Sequence, residues 1–107
     1  MKMFLSISAA LLFLIAGLPP RAQAADTGPD LYKAKCAMCH GADGSGNTPM
    51  GKRLQLRDLG SADVQKQSDS ELTAIIDKGK GKMPSFGGKL SQPQINDLVK
   101  YIRSLKK

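Results

Sequence analysis

Residues 36–40 read Cys-Ala-Met-Cys-His, and this stretch holds both cysteines and the single histidine of a 107-residue chain. Three chemistries use such a cluster: a redox dithiol, part of a zinc site, and covalent attachment of a haem. A Cys-x-x-Cys dithiol normally sits beside a βαβ unit, and no convincing alternating β pattern occurs here. The short spacing also makes a poor disulfide staple, because the gain from closing a loop grows with its length. A closed zinc site takes four Cys or His ligands, whereas the chain holds three. Two thiols three positions apart on one helical turn, followed at once by an imidazole, form the c-type haem attachment signal. Each thiol can add across one vinyl group of the macrocycle, and the histidine is placed beneath the iron. Haem is the favoured reading, with the dithiol and zinc as minor alternatives.

The flanking segments agree with it. The chain opens with Lys2, continues with an apolar run from Phe4 to Leu18, breaks at Pro19-Pro20 and reaches Ala22-Gln23-Ala24. That order is the pattern of a secretory signal with a small-residue cleavage site. The run is shorter than the ~20 residues a membrane span needs, so an uncleaved tether is the lesser alternative. The reading is therefore a cleaved signal over 1–24 and one domain over 25–107, exported to the periplasm, where haem attachment takes place. Loss of Lys2 and Arg21 removes two of the 16 basic residues and none of the 9 acidic ones, leaving a net charge of +5. Such a balance suits an acidic protein partner, and export argues against nucleic acid. A domain of this size buries only roughly 60% of its unfolded surface. With no tryptophan, and with Phe4 and Phe13 inside the signal, its core calls for a filler such as a cofactor.

Along the domain the pattern is helical. Pro29 marks a helix start that leads into the cysteine motif. Residues 41–60 carry repeated glycines and no sustained periodicity, so they read as a loop with a helical turn at most. A short helix is expected over 61–66. Ser68 and Glu71 form a capping box ahead of Leu72, Ile75 and Ile76, with Gly79 ending the helix. Ser91 and Gln94 repeat that grammar ahead of Ile95, Leu98, Val99, Ile102 and Leu105. The expected fold is all-α, with three to five short helices and long loops around one covalently bound haem.

A haem iron with one histidine needs a second ligand, and its identity governs function. The domain offers Met38, Met50 and Met83. Met38 lies inside the attachment motif and Met50 only ten positions past His40. Met83 sits between two capped helices, and Pro84 keeps that segment extended, so its sulfur can approach from the face opposite His40. Met83 is the favoured ligand, and Met50 reads as core filler.

The motifs "CAMCH" (36–40), "KMPSF" (82–86) and "DLVKYIRSL" (97–105) give the chain a resemblance. Over essentially all of 25–107 it resembles the small single-haem class I cytochromes c, near bacterial cytochrome c553 and the cytochrome c6 group. The resemblance implies a cytochrome c fold and one haem c held by Cys36 and Cys39, its iron ligated by His40 and Met83. It implies a tight crossing of first and last helices at Gly28 and Tyr32, with Leu98 and Tyr101 as partners. It also implies a proline carbonyl, here that of Pro49, accepting from the histidine ring.

Together these readings describe a soluble one-electron carrier of the periplasm, a monomer with no catalytic residues and no membrane span after processing. Lys33, Lys35, Lys78, Lys80, Lys82 and Lys89 form a positive rim that steers redox proteins with acidic docking surfaces. The alternatives are a haem-based sensor or small peroxidase in which Met83 is displaceable, or a module whose haem only stabilises the fold.

Overall fold

Helix starts in this chain carry side-chain oxygens. The computed structural model, which describes Gly17 and residues 27–107, uses five of them as caps. Thr27 precedes α1 (Gly28–Lys35), Thr48 precedes α3 (Pro49–Leu54), and Ser61, Ser68 and Ser91 precede α4 (Ala62–Gln65), α5 (Asp69–Lys78) and α6 (Gln92–Ser104). Each cap oxygen accepts from the backbone N–H three positions on, satisfying a donor the helix leaves free. The reciprocal bond of a capping box is made at Ser91, where the Gln94 amide oxygen accepts from Ser91 N–H at 2.8 Å. At Ser68 the box is half formed, since only the hydroxyl takes part. The short α2 (Ala37–His40) follows α1 after a break at Cys36.

Six helices therefore stand among the described residues, against the three to five expected. The difference lies at Cys36, which divides the first helix, and at α3, where repeated glycines concealed a helix. No strand occurs among the described residues, where the β geometry is one isolated bridge between Lys80 and Met83. The signal assigned to 1–24 falls outside the described residues apart from Gly17.

Packing centres on α6. Its Ile95, Leu98, Val99 and Ile102 are buried, and Leu105 is partly so. Each such burial stabilises the fold by ~1.5–3 kcal/mol. Across them lie Leu31 and Tyr32 of α1 and Leu72 and Ile76 of α5. The α1–α6 crossing is tight at Gly28, where a Cβ would lie 2.5 Å from the Asp97 carbonyl oxygen. The Tyr32 and Tyr101 rings meet there with centroids 4.7 Å apart and planes tilted by 45°.

Polar side chains tie α4 to α6. Arg103 donates to the carbonyls of Gln65 (2.9 Å) and Gln67 (2.6 Å) and pairs with Asp69. The Gln65 amide donates to the carbonyls of Leu59 (2.8 Å) and Ile102 (3.0 Å). Helix α4 is a single turn, and the carbonyl of its last residue, Gln65, takes the Arg103 guanidinium as its partner.

Candidate functional site

One helical turn sets the thiols and the imidazole. The Cys36 carbonyl accepts from both Cys39 N–H (3.2 Å) and His40 N–H (3.0 Å), which holds all three residues on one short arc. Gly41 ends that turn, and Tyr32 Oη donates to its carbonyl at 2.6 Å. Beneath it, Thr48 does two things: its hydroxyl donates to the Cys39 carbonyl (2.7 Å) and accepts from Gly51 N–H (2.8 Å). Helix α3 approaches so closely that a Cβ on Gly51 would lie 2.7 Å from the Cys39 carbonyl oxygen.

The Met83 side is built from backbone bonds. Lys80 and Met83 exchange a pair of them at 2.9 and 3.2 Å, closing a tight turn. The segment that follows is tied to the end of α5. Phe86 N–H donates to Ile76, while Gly87 N–H and the Ser85 hydroxyl both donate to the Asp77 carbonyl. Gly79 makes the approach possible, with φ +77° and ψ 171°, a region other residues rarely enter. A Cβ there would lie 2.6 Å from the Met83 carbonyl oxygen.

Between these two structures lie adjoining cavities of about 190 and 450 Å³. Both are walled by Cys36, His40, Leu56, Lys80 and Met83, and Cys39 lines the larger. Aliphatic residues of α5 and α6, including Leu72, Ile76, Leu98 and Ile102, form much of the smaller one. Burial pushes the Cys36 thiol up to about 11, with the neighbouring Cys39 adding to it. Burial also lowers the His40 imidazole from its ordinary value, since an apolar wall disfavours the charged form of either group.

The four candidate residues Cys36, Cys39, His40 and Met83 thus converge on one crevice. Met38 is 82% exposed and Met50 37% exposed, and neither lines a cavity. Of the expected basic rim, Lys35, Lys80 and Lys82 line the crevice, but Lys33, Lys78 and Lys89 do not. Lys89 lies instead over the Phe86 ring at 5.9 Å. Arg53 and Arg57 line it and were missed, because their segment was read as a loop with a helical turn at most. Pro49 departs from expectation as well. It occupies the first turn of α3, where a carbonyl points along the helix, and His40 Nδ1 is buried without a hydrogen-bond partner.

A family model described as "Cytochrome C oxidase, cbb3-type, subunit III" matches residues 23–102. Cytochrome c6 of Thermosynechococcus vestitus is 32% identical over 103 residues, spanning 94% of this chain and 89% of that protein. Cytochrome c6 of Porphyra purpurea is 34% identical over 107 residues, spanning 97% and 94%. Among solved structures, the KustC0563 c-type cytochrome aligns with TM-score 0.71 at 35% identity, covering 76% of this chain and 99% of that one. The chain belongs to the small class I c-type cytochromes. Its all-α architecture is the cytochrome c fold, and its cofactor is one covalently bound haem c.

The residues of this cytochrome fit that group on their own chemistry. Two half-buried free thiols, an imidazole and a thioether face a crevice with aliphatic walls. His40 Nδ1, buried and unpartnered, belongs to a side chain whose polar requirements the protein alone does not meet. Among the described residues no carboxylate lines either cavity, while Lys35, Arg53, Arg57, Lys80 and Lys82 do, which suits a macrocycle carrying two propionates.

Proposed function

We propose that this cytochrome is a one-electron carrier rather than an enzyme, and that residues 25–107 work in the periplasm after removal of an export signal over 1–24. In this reading Cys36 and Cys39 would hold the macrocycle through thioether bonds, and His40 and Met83 would ligate the iron. Haem supplies the one-electron iron couple when bound. The observation that supports the reading is that His40 and Met83, on separate elements, line the same two cavities.

The protein's part is placement and environment. His40 and Met83 together would leave no coordination position for a reactant, which favours electron exchange over catalysis. The Met83 thioether favours the reduced state relative to stronger donors, and the aliphatic wall of Leu72, Ile76, Leu98 and Ile102 acts in the same direction by disfavouring extra positive charge. Lys35, Arg53, Lys80 and Lys82 around the larger cavity would steer a redox partner with an acidic docking surface toward the crevice, with the cytochrome acting as a monomer.

Rapid-mixing kinetics against an acidic redox protein and a neutral dye test this. The expected rate with the acidic protein falls steeply as ionic strength rises, whereas the rate with the dye barely changes. Equal salt response for both would remove the docking role, and failure to exchange electrons with either would overturn the carrier reading.

A further inference from the structure

Neither Arg103 nor Gln65 lines a cavity, yet between them they bind four backbone carbonyls, those of Leu59, Gln65, Gln67 and Ile102. Three of those four residues, Leu59, Gln67 and Ile102, are walls of the smaller cavity, and Val64 of α4 is a fourth wall residue. The two side chains thus act from outside on one wall of the crevice. We infer that Arg103 is a positioning residue that, with Gln65, holds this wall closed against water and thereby keeps the reduction potential high.

The physical chain is short. Helix α4 has four residues, too few to satisfy its own C-terminal carbonyls. The guanidinium fork reaches the carbonyl of Gln65, the last residue of α4, and that of Gln67 in the link from α4 to α5, while its charge is balanced by Asp69 at 2.9 Å. A lysine in its place could keep the charge but has no planar fork to span both carbonyls. Carbonyls released in a half-buried wall recruit water, because a buried carbonyl left unpaired carries its full desolvation penalty. Water beside the cofactor stabilises the more positively charged oxidised state, so the potential falls. The inference rests on reading these cavities as the haem crevice.

Redox titration of the holoprotein tests it, with a visible spectrum recorded for each variant. Arg103→Lys and Gln65→Leu are each expected to lower the potential while the low-spin spectrum persists. The double variant should fall no further than the larger single change, since both loosen the same wall. Asp69→Asn, which removes the ion pair and leaves the fork, should stay at the wild-type potential. If Arg103→Lys keeps that potential while its melting temperature drops, the fork is a stability brace only and the inference is overturned. Fully additive shifts would overturn it too. Should Arg103→Lys yield no holoprotein, the potential of Gln65→Leu decides, as it leaves α6 unaltered. A wild-type spectrum without Met83 character would refute the ligand assignment alone, and the variants compared with their own wild type would still decide the wall.

Discussion

The α1–α6 crossing and the Met83 loop are held together by different means. At the crossing, side chains pack against side chains: Gly28 admits the Asp97 backbone, Tyr32 meets Tyr101, and Ile95 and Leu98 are almost wholly buried. In the loop over 79–87, backbone bonds to Ile76 and Asp77 carry the structure, and Met83 faces a cavity. The first region is complete from protein atoms alone. The second is a frame whose inner face is left for a cofactor, so its geometry has to be fixed by hydrogen bonds and by glycine rather than by contact across it.

That contrast predicts different responses to damage. His40→Ala should have the largest effect, loss of stable holoprotein, because no other imidazole exists in the chain. Haem content per purified chain measures it, and a full complement of low-spin haem would mean that another ligand substitutes. Next comes Gly28→Val at the crossing. The added side chain meets the Asp97 carbonyl, and overpacking of this kind costs ~1–3 kcal/mol. Thermal unfolding should show the loss while the visible spectrum of the surviving holoprotein stays unchanged.

Gly79→Ala should do the reverse. The strain of a Cβ at this backbone conformation, ~1–3 kcal/mol, falls on the Met83 turn. The sulfur-to-iron charge-transfer band should weaken before global stability changes much. An intact band with a lowered melting temperature would erase the distinction between the two regions.

The smallest effect lies outside both. Lys107 and the Gly60 N–H hold the Asp58 carboxyl below its ordinary value. A depressed carboxyl contributes stability that is present above about pH 4 and lost as pH falls through the folded-state value. Asp58→Asn should therefore lower stability slightly at neutral pH, where that contribution is present, and flatten the acid limb of a stability–pH curve. An unchanged acid limb would show that this carboxyl is not linked to folding.

The same contrast explains what the sequence disclosed. Helices α5 and α6 were legible because their stripes and caps are local, as at Ser68, Leu72 and Ile76, or Ser91, Ile95 and Leu98. The thiols and imidazole were legible because their chemistry is concentrated in five positions. Helix α3 was not, since Gly51 breaks the helical pattern for the sake of a contact with Cys39 that is visible only in three dimensions. The roles of Arg57 and Arg103 were hidden for a related reason. Arg103 acts through carbonyls more than thirty positions away, and no periodicity records such a bond. The Pro49 expectation failed where α3 formed, and His40 Nδ1 stands without a partner.

The most direct test of the account is the visible spectrum of the holoprotein, oxidised and reduced, with and without carbon monoxide. Ligation by His40 and Met83 gives low-spin spectra in both states, a weak sulfur-to-iron charge-transfer band when oxidised, and no response of the reduced form to carbon monoxide. High-spin character or rapid carbon monoxide binding would contradict it. The iron would then have an open position, and a sensor or peroxidase would describe this cytochrome better than a carrier.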